Sequence, residues 1–253
     1  MNIELKQEGK YNFLDLGEGK PIVLLHGLMG ALSNFQSLTH FLVERGYRVL
    51  MPVLPIYDLP LLKTSAKSIA KFLYDFVDYK NLKDLTLIGN SLGGHVGLIF
   101  SKEHPDLVKR LVLTGSSGLY ENAMGGSFPR REDYNYIKTK TEEVFYDKSI
   151  ATKELVDECY ETLNSRAKVL KVLAIAKSAI RHNMAKDLPN MHQATCLIWG
   201  KNDIVTPPHV ANEFHKLLPN SDLFWIDKCG HAPMMEHPDT FNDLVYNWLK
   251  ANE

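Results

Sequence analysis

The chain has almost no net charge. Its 29 basic residues are balanced by 30 acidic ones, a formal charge of -1. No bulk field therefore draws it to nucleic acid or to an acidic membrane surface. Cysteine is scarce: Cys159, Cys196 and Cys229 are odd in number and show no framework spacing, which excludes a disulfide scaffold. The first residues, Met1 to Lys6, lack a basic-then-apolar leader, so the cysteines point to a reducing cytoplasm. Long uncharged apolar runs are missing as well. The most apolar helical stretch, Arg166 to His182, carries Lys168, Lys171 and Lys177, which excludes a membrane span. No two histidines have zincin-like spacing, and Gly17-Glu18-Gly19-Lys20 is too poor in glycine for a phosphate loop. No metal and no cofactor is expected. Internal repeats and low-complexity tracts are absent too. What is present is an ordinary globular composition, 45% hydrophobic and 23% charged, over 253 residues. That is enough for one large domain or two small ones.

The first 115 residues alternate strand and helix. Ile3-Glu4-Leu5 and Tyr11 to Leu14 suggest an edge hairpin turning at Glu8-Gly9. Ile22-Val23-Leu24-Leu25 is a continuous apolar run, as in a parallel strand covered on both faces. A helix is predicted over 33–45, a strand over 47–53 and a helix over 65–79. Strands follow at 85–88 and 111–113, with a helix over 91–104 between them. Such alternation implies a parallel sheet with helices on both faces. The pattern breaks at Ser116. Gly125 to Arg131 resembles a loop, and helices are predicted over 136–145, 152–163 and 166–182. The last is apolar nearly all round and must be covered. The sheet pattern resumes with strands at 196–199 and 223–226 and helices at 207–217 and 238–250. The expected division is a core of 1–116 and 190–253 with a helical insertion over 117–189.

The chemistry is concentrated in Gly89-Asn90-Ser91-Leu92-Gly93, between an apolar strand and a helix. In that context the G-x-S-x-G pattern marks a sharp turn that lifts a serine hydroxyl clear of the backbone. Gly89 and Gly93 are needed because Cβ atoms there would meet the neighbouring strand and helix. A serine hydroxyl is a poor nucleophile without a base, and the base needs an anion to orient it. In open α/β sheets such groups lie just past the carboxyl ends of strands. Asp203 and His231 meet that condition, 112 and 140 residues beyond Ser91, in the order Ser, Asp, His. Asp203 could also be ordinary turn chemistry, and Asp227 ranks second as the acid.

His26-Gly27-Leu28-Met29-Gly30, the serine pentapeptide with Gly94, Trp199 to Asp203 and Gly230 to Pro238 together resemble an α/β-hydrolase with a helical cap. The resemblance spans essentially the whole chain. It implies a mostly parallel eight-stranded sheet with an inserted cap at 117–189. It also implies Ser91 as nucleophile, His231 as general base and then acid, and Asp203 as its orienter. The backbone N–H groups of Leu28 and Leu92 would form the oxyanion hole, with His26 shaping that loop and Gly27, Gly89 and Gly93 in support. Some family members carry the acid after the sixth strand, but Gly115-Ser116-Ser117-Gly118 holds no carboxylate. His95 is expected to be a packed residue. Arg130, Arg131, Arg181 and His182 are expected on solvated surfaces, with binding of a substrate carboxylate as the rival role.

A serine at position 91 argues against dehalogenases and epoxide hydrolases, which would carry aspartate there. The expected activity is hydrolysis of carboxylic esters with small to medium apolar acyl groups. The second expectation is a carbon–carbon bond hydrolase of the meta-cleavage-product type, resembled in Gly89 to Gly94 and in Glu143 to Ser149. A third, of another class, is a non-catalytic ligand-binding protein with this fold. The partner expected is a small-molecule substrate, and the sequence leaves a monomer or a homodimer open.

Overall fold

The computed structural model describes residues 5–122 and 130–253. Ile3, Glu4 and the predicted loop residues Gly125 to Pro129 lie outside the described residues. Eight strands form one sheet: β1 (Lys6–Glu8), β2 (Tyr11–Leu16), β3 (Lys20–Leu25), β4 (Tyr47–Pro52), β5 (Leu85–Asn90), β6 (Val108–Thr114), β7 (Ala194–Gly200) and β8 (Ser221–Ile226). Their spatial order is β1-β2-β4-β3-β5-β6-β7-β8. β1 and β2 pair antiparallel, as do β2 and β4, and every other pair is parallel.

Alternation along each parallel strand divides the core. Val23, Leu25, Leu87, Leu111, Leu113, Leu197 and Trp199 point to one face. There they pack on helices α2 (Ala66–Tyr79), α3 (Leu92–Glu103) and α7 (Pro208–Leu217). Ile22, Leu24, Ile88, Val112, Cys196 and Ile198 point to the other. That face is covered by α1 (Gln36–Val43) and the C-terminal helix, Pro238–Ala251. Period-two side-chain geometry with apolar residues in both phases therefore gives a strand buried on both sides.

The predicted helix at 33–45 is split, with a 3-10 turn at Leu32–Phe35 preceding α1. Between β6 and β7 the described residues form three α-helices, α4 (Tyr134–Glu142), α5 (Lys153–Asn164) and α6 (Arg166–Arg181). Side-chain caps start all three: Asp133 accepts from Tyr136 N–H, Thr152 from Leu155 N–H and Ser165 from Lys168 N–H. The expectation that α6 is covered all round is corrected. Val169, Val172, Ile175 and Ala179 are buried, but Leu170 and Ile180 remain 44% and 45% exposed. The stripe at i, i+3, i+6 and i+10 faces the protein, and the opposite side faces outward. α6 is tied to the core where Lys171 Nζ donates to Tyr57 O and Ala66 N–H donates to Ser178 Oγ. Two helices close the order: the four-residue α8 (Pro233–Glu236) and α9, the C-terminal helix already given. α8 is too brief for periodicity to reveal.

Candidate active site

The parallel strands end along one rim, and the residues singled out in the sequence follow those ends. Gly27 and Leu28 come after β3, Ser91 after β5, Asp203 after β7 and His231 after β8. Ser91 itself has φ 53° and ψ -119°, a left-handed backbone that a non-glycine residue adopts only at a cost of about 1–3 kcal/mol. Its surroundings impose it. Ser91 N–H donates to Thr114 O (3.2 Å), and Ser91 O accepts from His95 N–H (3.2 Å) and Ser117 N–H (3.1 Å). A Cβ on Gly93 would strike the Leu25 carbonyl, and one on Gly89 would lie 2.5 Å from Gly93 C and Gly94 N. Only glycine allows strand and helix to approach this closely.

Asp203 and His231 are joined directly, with Nδ1 donating to Oδ2 at 2.9 Å, and both are buried. The carboxylate is fully used. Oδ1 accepts from Val205 N–H (2.8 Å) and Thr206 N–H (2.9 Å), and Oδ2 also accepts from Thr206 Oγ1 (2.8 Å). A Cβ on Gly115 would sit 2.8 Å from His231 Nδ1, so this glycine, at φ 50°, makes room for the ring. Two backbone contacts hold the histidine loop: His231 N–H donates to Val144 O (2.9 Å), and Asn90 Nδ2 donates to His231 O (3.1 Å). Burial alone pulls the imidazole down, but the Asp203 charge and hydrogen bond, with Glu121 and Glu236 adding, hold it above its ordinary value. Asp227, the alternative acid, is exposed and pairs with Lys201 at 3.6 Å.

Ser91 and His231 line one cavity of about 200 Å³, together with Gly27, Leu28 and Leu92. No hydrogen bond joins the Ser91 hydroxyl to the imidazole. Gly27 is set against the serine, since a Cβ there would be 3.3 Å from Ser91 Cβ. His26 Nδ1–H donates to Gly27 O at 2.9 Å, and burial lowers the imidazole's pKa. The far wall comes from α4, α5 and α6, including Ile137, Leu155 and Val172. His95 lies apart, buried on α3 with Nε2 3.0 Å from His182 Nδ1. Arg181 donates to Lys177 O on its own helix, and neither it, Arg130 nor Arg131 lines the cavity. Among the described residues no cluster of three or more His, Cys, Asp or Glu could hold a metal ion, and no helix is long and apolar enough to cross a membrane.

Three residues at the site escaped the sequence reading. Thr206 could have been found, because Asp-x-x-Thr is a pattern in which the carboxylate accepts the N–H groups two and three residues on. Glu236 accepts from Gly230 N–H (2.7 Å), Tyr146 N–H (2.8 Å) and Asp147 N–H (3.2 Å). Glu121 lines the cavity and accepts from Ser117 Oγ. It lies three residues past Gly115-Ser116-Ser117-Gly118, and no local pattern distinguishes it from a solvated glutamate.

The chain belongs to the α/β hydrolase fold family, whose model matches residues 20–238. A solved metagenomic structure from sediments of the Mar Chica lagoon, Morocco, is an α/β hydrolase enzyme called MGS-MChE2. It is 52% identical, covers 98% of both chains and superposes with a TM-score of 0.82. A 2-hydroxy-6-oxononadienedioate/2-hydroxy-6-oxononatrienedioate hydrolase of a Pseudomonas species is 28% identical over 95% of this chain and 92% of its own. The meta-cleavage product hydrolase CumD of Pseudomonas fluorescens, 21% identical over 96% and 95% of the two chains, shares the fold with a TM-score of 0.83.

Proposed function

We propose that the protein is a serine hydrolase using Ser91, His231 and Asp203, with 117–189 acting as a cap over the substrate. Ser91 Oγ attacks the substrate carbonyl as His231 Nε2 takes its proton. Asp203 holds the Nδ1–H tautomer and stabilises the imidazolium. The tetrahedral oxyanion is received by Leu28 and Leu92 N–H; losing one such donor typically costs about 10²–10³ in rate. The imidazolium then protonates the leaving group, and water, deprotonated by the same imidazole, releases the acyl group from Ser91. The observation that carries this reading is the strained serine sharing a cavity with an imidazole already bonded to a buried carboxylate. The missing serine–imidazole bond does not oppose it, because catalytic hydrogen bonds often tighten only when substrate binds.

Two scissile bonds compete. The names of the relatives favour the carbon–carbon bond of a vinylogous diketone, the second expectation from sequence. The cavity wall favours the first, an ester of an uncharged acyl group, because it is largely apolar. Both share the addition to a carbonyl. A fluorophosphonate probe should label the wild type and fail on Ser91→Ala; an unlabelled folded wild type would instead support a non-catalytic binding protein. A panel of p-nitrophenyl esters beside a vinylogous 1,5-diketone acid then ranks the two bonds. Far faster turnover of the diketone replaces ester hydrolysis with carbon–carbon hydrolysis.

A further inference from the structure

Past Gly115, the turn after β6, the chain follows the cavity, and Ser117, Glu121 and Asn122 line it. Glu121 Oε2 accepts from Ser117 Oγ, while Oε1 has no hydrogen-bond partner among the described residues. The cations that could offset this carboxylate are engaged. Lys140 Nζ is 2.6 Å from Glu143, and His231 belongs to Asp203. No arginine lines the cavity among the described residues. Burial pushes the Glu121 carboxyl up, against the Ser117 bond and the His231 charge.

A substrate carboxylate entering this cavity would lose its hydration with no free cation to replace it. It would also meet Glu121 as a like charge whenever that group is ionised. An uncharged group with a hydroxyl or N–H meets neither penalty and finds an acceptor in Oε1. We propose that Glu121 is the specificity-determining residue of the cavity, turning away substrates whose cap-held portion carries a carboxylate and accepting uncharged ones. This rests on the serine hydrolase reading, and it sets the chain apart from relatives named for a dioate.

The test uses two esters with the same five-carbon diacid backbone and the same leaving group, methyl 4-nitrophenyl glutarate and 4-nitrophenyl hemiglutarate, which differ by one terminal methyl group and one charge. Wild-type kcat/KM should favour the neutral ester by about a hundredfold or more. Glu121→Gln, similar in shape but uncharged, should shrink that ratio by about tenfold. Glu121→Ser should shrink it in the same direction, with the melting of each variant compared with wild type. A ratio unchanged in both folded variants, or a wild type that prefers the anion, overturns the inference and leaves the hydrolase reading standing. Hydrolysis of neither ester, with Ser91 unlabelled by fluorophosphonate, removes both.

Discussion

At the scale of single residues, the Asp203–His231 bond sets how the proposed activity answers to pH. The imidazole acts as base only when neutral, and its pKa is held above the ordinary 6.5. The acid limb of kcat/KM should therefore lie above pH 6.5. Asp203→Asn removes the charge that raises it, so the limb should move to lower pH while kcat falls by about 10⁴-fold. A limb that stays in place would mean Asp203 does not face the working base. Ser91, Asp203 and His231 could be picked out of the sequence because each follows an apolar strand end with its own local pattern. Glu121 could not. Its role depends on which walls face it, and those come from segments up to about a hundred residues away.

At the scale of elements, α8 does more than its four residues suggest. Glu236 holds the N–H preceding His231 with one oxygen and two N–H groups just past α4 with the other. The histidine loop and the helical insertion are thereby joined through one carboxylate. Glu236→Ala leaves three amides without that partner. It should lower stability by about 2–3 kcal/mol, read as a shift in urea midpoint at constant slope. kcat should fall with it, because the Val144 carbonyl that receives His231 N–H sits in the same turn. The strands and long helices were legible because their periodicity is written in consecutive residues. This clamp was not, since its partners lie 89 and 90 residues from Glu236.

At the scale of the whole molecule, His95 makes the fold sensitive to acid. Burial, then the neighbouring His182, depress its pKa to about 3, and its Nδ1 has no partner. A base depressed on folding binds fewer protons folded than unfolded. Its contribution to stability is full above the unfolded value of 6.5 and is lost progressively as pH falls toward 3. By pH 4.5 the loss should reach roughly 2–3 kcal/mol. Melting curves from pH 7 to 4.5 should fall less steeply for His95→Gln than for wild type; equal slopes would show that other groups govern acid unfolding.

The insertion of α4 to α6 leaves the sheet at Thr114 and returns at Ala194, on strands that lie side by side in parallel register. The sheet closes as though nothing had been spliced in. A chain so arranged can lengthen, shorten or exchange that segment without shifting a single ladder bond. One wall of the cavity can thus be rewritten over evolutionary time, or in the laboratory, provided the turn from Val144 to Asp147 that holds the His231 loop is kept.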